Sequence, residues 1–102
     1  MPDHEIYVRI NAGTRETASR LKEIISSLEG FHLHNGKEAD RPDLLIFELS
    51  HNFDEEFKLI QSMLASDAVG EVFVTSRNTD SDLLLRAMRA GIKEFLSQPL
   101  AE

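Results

Sequence analysis

The 102-residue chain has no cysteine. That absence excludes disulfides, thiol catalysis and cysteine-ligated zinc or iron–sulfur sites, and it leaves a small core without a covalent staple. No apolar run approaches the roughly 20 residues needed to cross a bilayer. The opening residues, MPDHE, show neither the basic start nor the apolar stretch of a secretory signal. Both absences predict a cytoplasmic protein without direct membrane insertion. Positive charge is scarce: 11 Lys and Arg face 18 Asp and Glu, for a formal charge of -7 and a pI near 5.0. Such a field repels phosphate backbones, so nucleic acid is excluded as a partner and other proteins are favoured. Repeats, low-complexity segments and internal linkers are absent, and residues 1–102 read as one domain. Only one glycine, Gly13, stands in the strand-to-helix turn NAGT at 11–14, far short of a phosphate-cradling fingerprint. No cofactor and no metal site is expected.

What is present is a regular alternation of strand and helix patterns. EIYVRI at 5–10 places Ile6, Val8 and Ile10 on one face at period two, as in a strand. Residues 14–29 shift to a helical stripe of Ala18, Leu21, Ile25 and Leu28, with Gly30 positioned for a left-handed cap. FHLHN at 31–35 alternates as a short strand near a sheet edge. DLLIFEL at 43–49 is apolar on both faces, the pattern of a central parallel strand. Asn52 with Glu55 suggests a capping box ahead of Phe53, Phe57, Ile60 and Leu64. EVFVTS at 71–76 is a fourth strand. Thr79 or Ser81 can cap a third helix carrying Leu84, Ala87 and Met88, and Gly91 stops it before a strand at 92–96.

This order predicts an α/β fold: an open parallel sheet with helices on its faces and right-handed crossovers. Residues 36–42 are too few for an ordinary helical crossover. Extended, they span roughly 23 Å, enough to cross a short strand's length, so a loop or single turn is expected there. The sequence stops at Glu102, soon after the last strand, and one sheet face is expected to carry a single helix. Ligands of such sheets bind at the carboxyl ends of the strands. Here that selects Asn11, Ala12 and Gly13, then Glu48, Ser50 and His51, then Thr75 and Ser76, and finally Ser97 and Gln98.

RPDLLIFEL at 41–49, VTS at 74–76 and RAMRAGIKEFLSQP at 86–99 resemble the receiver domains of bacterial response regulators. Within that family, the last segment and GEVFVTS at 70–76 look most like the atypical N-terminal receiver of the TadZ/CpaE proteins, which assemble Flp (Tad) pili. The resemblance covers nearly the whole chain. It implies a CheY-like, flavodoxin-like sheet of five parallel strands in the order 2-1-3-4-5, with the second helix shortened and the last absent. A working receiver carries a nucleophilic Asp after the third strand, an acidic pair that holds magnesium after the first, a hydroxyl after the fourth and a Lys before the last proline. The matching positions are Glu48, Asn11 with Ala12, Thr75 and Gln98, of which only the hydroxyl is kept.

Each departure removes chemistry. An amide and a methyl group cannot replace carboxylates around magnesium. Glu48 carries its carboxylate one methylene too far, and a misplacement of about 1 Å costs on the order of 100-fold in rate. Without metal or lysine, little stabilises charge on a transferring phosphoryl group. The pocket therefore reads as non-phosphorylatable and the chain as a non-enzyme. Glu48 is either a permanent mimic of the phosphorylated state, bonded by Thr75 or Gln98, or a solvated acid at a strand end.

The resemblance further implies an interaction domain of a pilus assembly ATPase, a homodimer with partners in the pilus assembly machinery, working in the cytoplasm at the cell pole or inner face of the membrane. Leu84, Met88, Ile92 and Phe95 are expected on or near the contact surface, because receivers dimerise through this region and exposed apolar patches mark interfaces. Arg86, Arg89 and Lys93 add positive charge there, either to orient an acidic partner or simply as solvated groups. The alternative is a phosphoacceptor receiver in two-component signalling, and a small binding module unrelated to pili is a third possibility. His32 and His34 are two apart but lack a third ligand, so edge histidines are the plainer reading.

Overall fold

The computed structural model describes residues 5–34, 41–50, 52–78 and 80–98. Their elements are β1 (Ile6–Asn11), α1 (Arg15–Ser27), β2 (Phe31–Leu33), β3 (Leu44–Glu48), α2 (Phe53–Ala65), β4 (Glu71–Ser76), α3 (Ser81–Arg89) and β5 (Glu94–Ser97). The strands form one sheet in the order β2-β1-β3-β4-β5, and every pairing is parallel. This is the architecture expected from the alternating patterns. Most of the short connection between β2 and β3 lies outside the described residues, as do the expected Thr79 cap and His51.

β3 holds the centre because Leu44, Leu45, Ile46 and Phe47 are all buried, two toward each face. On one face Leu44 and Ile46 join Val8, Leu21 and Ile25 beneath α1. On the other, Leu45 and Phe47 meet Val72, Val74, Phe57, Ile60, Leu83 and Ala87 beneath α2 and α3. The α1 stripe of Thr17, Leu21 and Ile25 recurs every four residues, which keeps one flank on the sheet. Gly30 and Gly91 take φ of 85° and 92°, the left-handed turns that let the chain re-enter the sheet from α1 and α3. Gly70 serves proximity instead, since a Cβ there would lie 2.5 Å from the Asp43 carbonyl oxygen.

Three local expectations are corrected. Asn52 precedes α2 but makes no side-chain cap bond, because its backbone (φ -103°, ψ 68°) is outside the extended region that aims a cap inward. Glu56 reaches back instead and accepts from the Ser50 N–H and, at 2.7 Å, from its hydroxyl. Asp80, not Ser81, caps α3 by accepting from the Asp82 N–H at 3.1 Å. β5 begins two residues later than expected, for Ile92 lies in the turn with its N–H on the Ala87 carbonyl. Its side chain is 5% exposed and belongs to the core. Ile92 is therefore buried beside the region expected to make contacts and is not exposed on it.

Candidate functional site

β1, β3, β4 and β5 end along one edge of the sheet, and Glu48, the last residue of β3, leans across that edge toward α1. Gly13 and Thr14 open the turn before α1, so their N–H groups face the strand ends. Glu48 Oε1 accepts from the Gly13 N–H at 2.7 Å and the Thr14 N–H at 3.2 Å. Its Oε2 accepts from the Thr17 hydroxyl at 3.0 Å and Gln98 Nε2 at 3.1 Å. The carboxylate thus occupies the positive end of the helix, where unpaired N–H groups and the helix dipole favour an anion. The extra methylene of glutamate supplies the reach.

The donors are themselves fixed. Thr14 caps α1 by accepting from the Thr17 N–H at 3.2 Å, and its hydroxyl donates to the Thr17 hydroxyl at 2.9 Å. The Thr17 proton is left to point at Glu48. Gln98 is held from its other end, where Oε1 accepts from Arg77 Nε at 3.3 Å. Burial acts to raise the Glu48 pKa, but the bonds from Gln98, Thr17, Gly13 and Thr14 outweigh it and hold the carboxyl below its ordinary 4.5. Glu48 is an ionised, fully engaged acceptor at neutral pH.

The residues singled out in the sequence fare differently. Glu48, Thr75 and Gln98 come together, and Gln98 is the donor expected of it. Thr75 is not: its hydroxyl is fully buried and donates to the Leu96 carbonyl at 2.7 Å, and it meets Gln98 Nε2 at 3.3 Å only as an acceptor. Asn11 ends β1 and Ala12 follows it at the same edge, neither side chain bonding Glu48. Thr17 was missed, along with the two backbone N–H groups. The signal lay in the order strand, NAGT, helix, which obliges that turn to present its amides where the neighbouring strands end.

Magnesium, which this architecture implies in active relatives, does not fit the donors present. Both Glu48 oxygens are committed to four hydrogen-bond donors, and Asn11 and Ala12 supply no second carboxylate. Among the described residues, no group of three His, Cys, Asp or Glu is arranged to hold a metal.

The region expected to make contacts lies on α3 and β5. Met88 is 68% exposed, Leu84 and Phe95 are half-buried, and Phe95 packs on the core beneath α3. Leu85, 53% exposed, joins them. Arg86 does not await an outside acid, since it pairs with Asp54 of α2 and lies 5.3 Å from the Phe57 ring centre. At the far edge, His32 Nε2 meets Glu5 Oε1 at 2.9 Å and its ring tilts against Tyr7, so this histidine is structural.

The chain matches no protein-family model and no curated protein. Solved structures match it throughout. A response regulator from Thermotoga maritima superposes with a TM-score of 0.81 at 20% identity, over 95% of this chain and 87% of that one. The fold is that of a response-regulator receiver. A receiver protein from Pseudoalteromonas atlantica gives a TM-score of 0.74 at 17% identity, covering 93% of this chain and 86% of its own. The pilus assembly protein CpaE from Caulobacter crescentus gives 0.70 at 22% identity, covering 95% and 90%. Within this fold, the Glu48 cluster stands at the carboxyl ends of the strands. No helix of the described residues is long and apolar enough to cross a membrane.

Proposed function

We propose that this receiver-fold chain is a pseudo-receiver: a non-phosphorylatable protein-interaction domain that dimerises or docks and so localises a pilus assembly ATPase, in the cytoplasm, at the pole or inner face of the membrane. The saturated carboxylate of Glu48 carries this reading. A nucleophile must present a free lone pair to an in-line phosphoryl donor, and a metal must share it. Glu48 presents its lone pairs to four donors already. Gln98, neutral, offers a hydrogen bond where a transferring phosphoryl group needs a cation. The same bonds give the pocket a fixed anion, which supports a role for Glu48 as a permanent stand-in for the phosphorylated state.

The pilus assignment is supported by the similarity to CpaE in fold and by the wording of residues 70–76 and 86–99. Self-association is supported by the exposed Leu85 and Met88 beside half-buried Leu84 and Phe95. The chemistry is tested by incubating the chain with magnesium and acetyl phosphate and reading intact mass, with beryllofluoride as a second probe. No phosphorylated species and no metal-dependent uptake are expected. Glu48→Asp, which restores the usual nucleophile but not the acidic pair, should stay unlabelled too. Stoichiometric labelling of the wild type would establish the phosphoacceptor alternative instead.

A further inference from the structure

α2 and α3 share one face of the sheet, while among the described residues α1 alone covers the other. Beside α1, toward the amino ends of the strands, an apolar strip is left half-covered. Ile6, Phe31 and Phe73 are partly exposed around the buried Leu44 and floor a groove of about 430 Å³. Its rim is acidic, formed by Glu5, Asp43 and Glu71. Glu94 pairs with Phe73 across β4 and β5, and side chains of paired residues share a face, so a fourth carboxylate stands beside the strip.

These acids are not equally occupied. Glu5 holds His32, and Asp43 accepts from the Tyr7 N–H at 2.9 Å. Glu71 and Glu94 are exposed and have no side-chain partner among the described residues. We infer that this strip docks a helix of a partner protein carrying one apolar stripe flanked by Lys and Arg. Half-exposed aromatic rings favour apolar cover, and the unpaired carboxylates select cations at its margins. The same strip of a second copy is the wrong occupant, because two strips each rimmed by Glu71 and Glu94 repel and neither brings cations to the other. The inference does not depend on whether the Glu48 pocket is inert.

The test titrates the whole chain with three synthetic helical peptides of equal length, followed by amide NMR shifts. One carries a leucine stripe flanked by lysines, one the same stripe flanked by glutamates, and one serines with the lysines. The Leu/Lys peptide should bind about tenfold or more tightly than either other and move the amides of Ile6, Leu44, Glu71, Phe73 and Glu94. Glu71→Lys should weaken it about tenfold, whereas Glu55→Lys, an equal charge change on exposed α2, should alter it by less than about twofold. No binding, equal binding of the Ser/Lys peptide, equal losses in the two variants, or shifts confined to α2 and α3 would each overturn the proposal.

Discussion

The two faces of this sheet divide the labour unequally. Among the described residues, twelve buried residues make one continuous cluster between the sheet and α2 and α3; on the α1 face there are five, with Ile6, Ile10, Phe31 and Phe73 only partly covered around them. Hydrophobic stabilisation follows area removed from water, so the first face must carry most of the stability. The second retains surface for binding because the fold does not depend on sealing it. The largest effect that could break this comparison pits one isoleucine against another. Ile60→Ala, at a fully buried position on the sheet-facing side of α2, should cost about 2–5 kcal/mol in urea unfolding, the range for emptying a packed site. Ile6→Ala, on the half-covered strip, should cost less than half as much, since water already reaches that side chain. Equal losses would mean that the α1 face is a core of the same quality.

The carboxyl edge of the sheet behaves differently from either face, because its cohesion is polar. Glu48→Gln replaces an acceptor of four bonds with a group that has one acceptor oxygen and aims an NH2 at existing donors. We expect a loss of about 1–2 kcal/mol at pH 7, at the low end for bonds to a charged group because the pocket is partly open to water. The pH dependence has a definite sign. The folded pKa lies below the ordinary 4.5, so the contribution is fully present above that value and is lost as pH falls through the folded one. Unfolding midpoints of wild type and Glu48→Gln should therefore converge as pH falls below 4.5 and through the lowered folded pKa. A gap that stays constant over that range would show that the carboxylate's ionisation is not what binds β3 to α1.

How far the sequence disclosed this arrangement depends on the kind of interaction. The double-faced run Leu44 to Phe47 and the stripe of Leu21 and Ile25 are periodic, so the central strand and its helix were legible from spacing alone. Strand order needed the resemblance to receivers, because parallel pairing leaves no local mark. Glu48 and Gln98 were legible as a pair only through that same resemblance. Their partners were not, since two are backbone N–H groups and Thr17 sits where a helical stripe predicts only burial. The caps failed for a related reason: Asn52 has the right side chain on the wrong φ and ψ, which residue type does not reveal. Ile92 was misread because an apolar β-branched residue directly after Gly91 suits a strand, and residue type does not reveal the turn that folds it under α3.

The smallest effect sharpens the comparison from the α2–α3 side, where one flank of α3 belongs to the core and the other does not. Leu83 and Ala87 face the sheet, whereas Met88 stands 68% exposed one residue further on. Glutamine has nearly the helix propensity of methionine and a similar length, so Met88→Gln removes apolar surface without disturbing the helix. Its unfolding free energy should stay within about 0.5 kcal/mol of wild type. If the exposed flank is the dimerisation surface, sedimentation should nevertheless show weaker self-association, because the variant changes only what a partner would cover. Destabilisation comparable to Ile60→Ala would place Met88 in the core and remove it from the contact surface. Unchanged stability with unchanged association would clear this flank of both roles and move the search for the dimer contact elsewhere.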